Sequence, residues 1–303
     1  MNIIKLNKKH YKIYGGTKYF IDCSNIIYQS NSIFPTDILK NINDISIIKA
    51  VINYTKHIKK NKNIVIKIAH KDKTNIKEYQ TGETLKSING FIKYICLFNC
   101  FDDTYNFINI NKKIPDKICT ADNIGNNDNN ILIIPFINGS SIRNYKWNLD
   151  NINILKSLLK QCIISLMYAY IDYGFLHNDL HLDNIMFKKT KTENIKYKDL
   201  EIKTEGYKIV IMDFDLSFIG VDKIDGIEYY WNNLYNLFSR IITDLNKYIT
   251  PTKNDDIIIS FIRNAGLNKY IPNRTIELLD LIDKLEFKLS IPLTVPIYNP
   301  FVY

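Results

Sequence analysis

The stretch that decides the fold is FLHNDLHLDN, at residues 175–184. It places two histidines, two aspartates and two asparagines in ten residues. Apolar residues with helical spacing precede it and end at Gly174, and the strand-like run NIMFKK continues from it at 184–189. A polar segment between two apolar elements either turns the chain or presents groups for chemistry.

A second polar position follows the next apolar strand, because YKIVIMDF (207–214) ends with Asp213. Carboxylate oxygens and the amide oxygen of Asn184 are hard ligands that suit Mg²⁺, with Mn²⁺ as an alternative ion. Upstream, Lys67 lies within the strand-like NIVIKIAHK (63–71), where a buried charge needs a phosphate or carboxylate partner. A lysine for phosphates, a carboxylate near the nucleophile and two metal ligands are the parts of a phosphoryl-transfer site.

The order of apolar patterns predicts strands first and helices later. Strands are expected at 63–71, 91–98, 131–136, 184–189 and 207–214, a hairpin at 14–23, helices at 36–60, 77–88, 153–174 and beyond 226, and loops at 121–130 and 190–206. The chain is therefore predicted to be α+β, with a small β-rich lobe over residues 1–136 and a larger helical lobe over 137–303.

The segment HNDLHLDN (177–184) resembles the catalytic loop of protein kinases, His-Arg-Asp-Leu-x-x-x-Asn. The resemblance implies that Asp179 is the catalytic aspartate and that Asn184 binds metal. Asp213 followed by phenylalanine resembles the metal-binding Asp-Phe-Gly motif after its strand. Together they imply the bilobal kinase fold and transfer of a phosphoryl group from ATP.

Two upstream segments extend the resemblance, in the order expected of a kinase. VIKI (65–68) resembles the Val-Ala-Ile-Lys strand and puts Lys67 on the ATP phosphates. Its helix partner is either Glu78 or Glu83, and Glu78 is preferred because EYQTGETL resembles a helix that enters an apolar core. ILIIPFINGSSI (131–142) resembles the fifth strand and hinge, which implies that Ile134 and Phe136 contact the nucleotide.

The chain departs from the kinase pattern at several positions. Asn178 replaces the arginine that pairs with a phosphorylated activation loop in many kinases, so this chain should not need that switch. His181 replaces the lysine that usually stands two residues after the catalytic aspartate. The resulting pattern, HxDLHxxN, resembles that of atypical and haspin-like kinases and also that of aminoglycoside and choline kinases. Asp215 replaces the glycine of Asp-Phe-Gly. No G-x-G-x-x-G precedes Lys67, so the glycine-rich loop is either degenerate or followed by a long insertion. The combination resembles divergent serine/threonine kinases of large DNA viruses of the poxvirus type.

Each of these residues also has a structural alternative. Asp179 and Asn184 could cap a helix or form a turn, and Lys67 could be an ordinary strand lysine. His177 fits a packed position better than a catalytic one. His181 could either belong to the core or touch phosphate.

Three functions fit these motifs. The first is an ATP- and Mg²⁺-dependent protein kinase that acts on Ser or Thr hydroxyls. The second keeps the fold but phosphorylates a small molecule, as aminoglycoside and choline kinases do. The third is a pseudokinase that serves as a scaffold, favoured by the missing glycine-rich loop.

Composition adds little to this assignment. The net charge of +9 favours anionic partners, but an AT-rich genome would also enrich lysine. Because only the charge speaks for it, nucleic acid is not expected as a partner. No signal peptide or transmembrane helix is expected, and the five cysteines are expected to be free thiols. These features predict a cytoplasmic protein, in host cytoplasm or virion if the chain is viral.

Overall fold

The computed structural model describes residues 3–6, 9–14, 17–21, 33–42, 45–52, 62–69, 74–99, 130–222, 226–245, 248–265 and 271–289. The chain forms two compact units that are discontinuous in sequence. Unit 1 contains Met1–Ser87, Phe91–Asn138 and Met212–Ser217, and unit 2 contains Ile88–Gly90, Gly139–Ile211 and Phe218–Tyr303. The boundary at residues 136 and 137 stays a prediction.

Unit 1 is built mainly from antiparallel strands. A five-stranded sheet has the order β4-β5-β6-β8-β7, and β1, β2 and β3 form a separate sheet in which Tyr14 pairs with Thr17, as the predicted hairpin requires. The strands are β1 (Ile3–Leu6), β2 (Lys9–Tyr14), β3 (Thr17–Ile21), β4 (Ile33–Ile42), β5 (Ile45–Ile52), β6 (Lys62–Ala69), β7 (Cys96–Asn99) and β8 (Asn130–Pro135).

Helix α1 (Thr74–Leu85) packs on strands β6, β7 and β8. Its buried residues include Asn75, Glu78, Tyr79 and Gly82, whose three- and four-residue spacing puts them on one face. The Asn75 side-chain amide donates to the carbonyl of Lys67 at 2.9 Å and so ties the first turn of the helix to β6. The helix predicted at 77–88 is confirmed over 77–85; it begins three residues earlier, and residues 86–88 are not helical.

Unit 2 contains most of the helices, and its three-stranded sheet has the order β13-β10-β9. The elements are β9 (Gly139–Ser141), a 3₁₀ turn (Leu149–Asn151), α2 (Ile152–Tyr173), β10 (Ile185–Lys189), β11 (Asn194–Tyr197), β12 (Leu200–Lys203), β13 (Tyr207–Ile211), α3 (Ile227–Asp244), β14 (Ile249–Lys253), α4 (Asp255–Ala265), α5 (Ile271–Asp283) and β15 (Glu286–Leu289). The predicted α+β fold, with a β-rich first part and later helices, is confirmed and is consistent with a bilobal kinase-like arrangement.

Helix α2 forms the centre of unit 2 and ends at Gly174, which has the left-handed φ of 58° expected of a helix C-terminus. The fully buried Gln161 fastens it to β13, because its side chain accepts from the amide of Ile209 and donates to the carbonyl of Tyr207. The helical segment Leu149–Tyr173 is long and apolar enough to cross a membrane, but 78% of its most apolar window is buried, as in the core helix of a folded domain.

The expectation that residues 36–60 are helical is wrong for the described part, which forms β4 and β5. In β5, Ile48 and Ala50 are buried while Ile47 and Lys49 are partly exposed, which is the two-residue period of a strand. The many β-branched side chains of β5 favour this conformation over a helix. Residues 53–60 lie outside the described residues.

Three other expectations also need correction. The strand expected at 91–98 is limited to β7, and the insert at 190–206 is not a loop but contains the β11–β12 hairpin. Tyr197 and Ile202 are buried and anchor this hairpin despite its many charged residues.

Cys162 is a buried free thiol, but Cys96 is disulfide-bonded, so not all cysteines are free. The loop predicted at 121–130 lies outside the described residues except for its last position.

Candidate active site

Unit 1 buries one ammonium group between two carboxylates. The Lys67 side chain is 7% exposed, and its Nζ donates to Glu78 Oε2 at 2.7 Å and to Asp213 Oδ1 at 2.8 Å. Glu83, the other candidate partner, instead forms an exposed ion pair with Lys86. The structure therefore brings Lys67, Glu78 and Asp213 together and leaves Glu83 outside the cluster.

The electrostatics of this cluster leave one negative charge in excess. Burial favours a neutral amine at Lys67, but Glu78 and Asp213 outweigh it, so the pKa of Lys67 is raised and the amine stays protonated. Burial also raises the pKa of Glu78, and the Lys67 ammonium opposes that rise. Because two carboxylates surround one ammonium, a bound cation would complete the charge balance.

Asp213 has an unusual backbone conformation and precedes a buried aromatic residue. Its φ is 68°, in the left-handed region that non-glycine residues seldom adopt, and such strain is concentrated at functional sites. The ring of Phe214 is fully buried and meets the rings of Phe91 and Tyr94 edge-on, each at 5.9 Å between centroids. Asp215 Oδ1 accepts from the amide of the next residue, Leu216, at 2.8 Å.

In unit 2, the polar loop gathers Asp179, His181 and Asn184. Asn184 Nδ2 donates to the carbonyl of Asp179 at 3.0 Å and lies 3.5 Å from its Oδ2, so these bonds leave the amide oxygen of Asn184 for a cation. His181 Nδ1 accepts from the amide of Asp183, and its Nε2 lies 3.5 Å from Asp179 Oδ2. His181 therefore lies beside the aspartate, while His177 is buried against Phe175 as expected of a packed residue.

Two residues outside every predicted motif hold this loop. Arg143 forms ion pairs with Asp183 and Asp244, each with a nitrogen–oxygen distance of 2.8 Å. Asn233 Oδ1 accepts from the amide of Asn178, whose φ is 60°. Both residues are distant in sequence from FLHNDLHLDN, and no motif marks them.

Replacement of Arg143 by Ala should loosen this loop with only a small loss of stability. The ion pairs of Arg143 are partly exposed, so the free energy of unfolding should fall by no more than about 1 kcal/mol. The effect on the order of residues 177–184 should be larger than this small change in stability, because Asp183 loses its ion pair with Arg143. Hydrogen exchange measured over residues 177–184 should show faster exchange, whereas Arg274→Ala, which removes an ion pair within α5, should leave the loop unchanged. Equal exchange in both variants would contradict this role.

The hinge positions that the kinase resemblance assigns to the nucleotide lie at the end of β8. Ile134 is buried and pairs with Val65 of β6. The amide of Phe136 donates to the carbonyl of Asn63 at 3.2 Å, and Lys49 Nζ lies 4.9 Å from the centre of its ring. The amide of Phe136 is therefore already used within unit 1, and the contact of Ile134 and Phe136 with a nucleotide stays a prediction.

The strands next to Lys67 contain no glycine. Residue Ile42 of β4 pairs with Ile45 of β5, and β5 pairs with β6, so this hairpin adjoins the lysine strand directly. The Gly-Gly pair at 15–16 instead falls between β2 and β3, which belong to the separate sheet. Whether the glycine-rich loop is degenerate or followed by a long insertion stays a prediction.

The cluster in unit 1 and the loop in unit 2 carry the parts expected of a protein kinase-like chain. No protein-family model matches the sequence. Over 102 residues, however, the chain is 32% identical to serine/threonine-protein kinase haspin of Mus musculus, a match that covers 32% of this chain and 14% of haspin. Haspin of Bos taurus is 33% identical over 90 residues, with 28% of this chain and 12% of haspin covered.

A viral protein is similar to a comparable extent. Uncharacterized protein 098R of Invertebrate iridescent virus 6 is 30% identical over 118 residues, which cover 34% of this chain and 20% of that protein. The chain thus matches no more than a fifth of the length of any of these three relatives. About a third of the chain is thus similar in sequence to part of a serine/threonine-protein kinase.

Proposed function

We propose that the chain is an ATP- and Mg²⁺-dependent protein kinase that phosphorylates Ser or Thr hydroxyls. The observation that carries this proposal is the buried contact of Lys67 with both Glu78 and Asp213. A structural lysine needs only one carboxylate, whereas a second carboxylate that is partly exposed can turn to a metal ion. Similarity to haspin supports a protein acceptor.

Each residue has a defined part in the proposed reaction. Lys67, fixed by Glu78, binds the α- and β-phosphates of ATP. Asp179 orients the acceptor hydroxyl and takes its proton while the hydroxyl oxygen bonds to the γ-phosphorus. The bond from that phosphorus to the β-phosphate oxygen breaks, and ADP leaves. Catalysis then consists mainly of positioning and charge stabilisation.

Asn184 and Asp213 are the residues that we propose to hold Mg²⁺. No group of three or more His, Cys, Asp or Glu side chains among the described residues could hold a metal ion alone. One carboxylate and one amide oxygen are a donor set that suits Mg²⁺, which keeps several waters and binds one or two carboxylates together with substrate phosphates. When bound, Mg²⁺ neutralises charge that develops on the phosphate oxygens.

Nucleotide-dependent thermal stabilisation tests this proposal. ATP with Mg²⁺ should stabilise the folded chain by about 2.7 kcal/mol at a free concentration one hundredfold above Kd, and removal of Mg²⁺ should reduce the shift. Phosphate release from ATP should then be compared with protein acceptors, aminoglycosides and choline. Transfer to the small molecules alone would favour a small-molecule kinase, and binding without any transfer would favour a pseudokinase. Absence of nucleotide binding would contradict the proposal.

A further inference from the structure

The second oxygen of Glu78 has a donor that the kinase motifs do not include. Tyr94 Oη donates to Glu78 Oε1 at 2.6 Å, while Lys67 occupies Oε2. All three side chains are buried. A buried carboxylate that lost either donor would have to tolerate an unsatisfied oxygen or turn towards another partner.

Tyr94 also contacts the segment that carries the second carboxylate. Its ring meets the ring of Phe214 edge-on, at 5.9 Å and an interplanar angle of 78°. Phe214 directly follows Asp213, so one tyrosine touches Glu78 through its hydroxyl and the neighbour of Asp213 through its ring. Burial and the nearby Glu78 charge raise the pKa of Tyr94, which keeps its hydroxyl protonated as a donor.

Space for the Tyr94 ring depends on Gly82, one turn beyond Glu78 on the same face of α1. A Cβ atom added at Gly82 would overlap Cδ2 and Cε2 of the Tyr94 ring. Glycine lowers the stability of a helix interior, so its presence here has a packing reason. The helix thus leaves a space into which Tyr94 fits as it reaches Glu78.

We propose that Tyr94 is a positioning residue, whose hydroxyl holds Glu78 in the rotamer that binds Lys67. Its consequence for catalysis rests on the proposed kinase function. When Asp213 turns to a metal ion, Lys67 loses one of its two protein partners and depends on Glu78. The Tyr94 hydroxyl is then what keeps the lysine directed at the nucleotide phosphates.

Labelling of Lys67 in the nucleotide-free chain of 303 residues tests this role without assuming kinase activity. The N-hydroxysuccinimide ester of acetate should acylate Lys67 about tenfold faster in Tyr94→Phe than in the unchanged protein. The reason is that Glu78 loses the hydrogen bond from Tyr94 and no longer holds Lys67 as firmly. Mass spectrometry gives the rate, with exposed Lys86 as the internal reference. Gly82→Ala, which displaces the ring, should have the same effect.

Tyr168→Phe is the matched control, because Tyr168 is also buried and its hydroxyl donates to the carbonyl of Tyr197. It should leave Lys67 labelling unchanged. Equal labelling rates in Tyr94→Phe, Tyr168→Phe and the unchanged protein would overturn the proposal.

A second measurement connects Tyr94 to the nucleotide. In Tyr94→Phe, the Kd for ATP should rise about tenfold while the Kd for adenosine, which lacks phosphates, stays the same. A purely structural role would weaken both ligands alike and would overturn the proposal. If the unchanged protein bound no nucleotide, the kinase function would fail, and the labelling rates would still decide the role of Tyr94.

Discussion

Replacement of Asp213 by Asn is expected to lower the rate of phosphoryl transfer by about 10³-fold while the protein stays folded. Asparagine keeps the size of the side chain but removes the charge proposed to bind Mg²⁺. Lys67 keeps its contact with Glu78, and Asp213 is partly exposed, so the loss of one ion pair should change the free energy of unfolding little. Initial rates of transfer at saturating ATP measure the effect.

Asp172→Asn is the control for this prediction, because Asp172 is a carboxylate of α2 that pairs with the exposed Lys198. Its loss should leave transfer unchanged. If Asp213→Asn kept more than a tenth of the original rate, Asp213 would not be an essential metal ligand.

Replacement of Lys67 by Met is expected to abolish transfer and also to destabilise the fold. The side chain of Glu78 is 2% exposed, so removal of Lys67 leaves a buried carboxylate without its cation. Breaking such a pair costs about 3–5 kcal/mol at neutral pH. Denaturant-induced unfolding measures this loss, and Glu78→Gln added to Lys67→Met should recover part of it by removing the charge.

The stability loss in Lys67→Met should depend on pH. The pKa of Glu78 is already raised by burial, and without the ammonium it rises further, so the folded variant binds a proton more tightly than the unfolded chain does. The resulting stability is fully present below the ordinary carboxyl pKa of 4.5 and is lost as the pH rises through the folded pKa. The deficit should therefore shrink between neutral pH and about pH 5. An equal deficit at both would show that Glu78 does not stay buried in the variant.

The sequence was sufficient to predict the residues whose role depends on local spacing. Asp179 and Asn184 are five positions apart in one loop, and Lys67 and Asp213 each lie in or directly after an apolar strand, so motif order proposes them as site residues without any knowledge of contacts. Their roles stay predictions. Glu78 could be preferred over Glu83 because the helix pattern placed it near the core. The structure adds that Glu78 is the one in contact with Lys67.

Residues whose role depends on distant contacts could not be predicted. Tyr94 falls in a segment that looked like a strand, and its hydrogen bond crosses to a helix that precedes it. Arg143 lies in no recognisable motif and forms ion pairs with Asp183 and Asp244, which follow it by 40 and 101 positions in the chain. Gly82 weakened the helix prediction, and the reason for a glycine there is visible only in the structure, where the Tyr94 ring fills the space that a Cβ atom would occupy.

Transfer of the γ-phosphate from labelled ATP tests the central claim most directly. The chain of 303 residues, with Mg²⁺ and casein or myelin basic protein as acceptor, should incorporate label into serine or threonine, and Asp213→Asn should not. Chelation of the metal should stop incorporation in the unchanged protein. Equal incorporation by the unchanged protein and Asp213→Asn, or none by either with any acceptor or by autophosphorylation, would contradict the assignment of the buried Lys67 cluster to phosphoryl transfer.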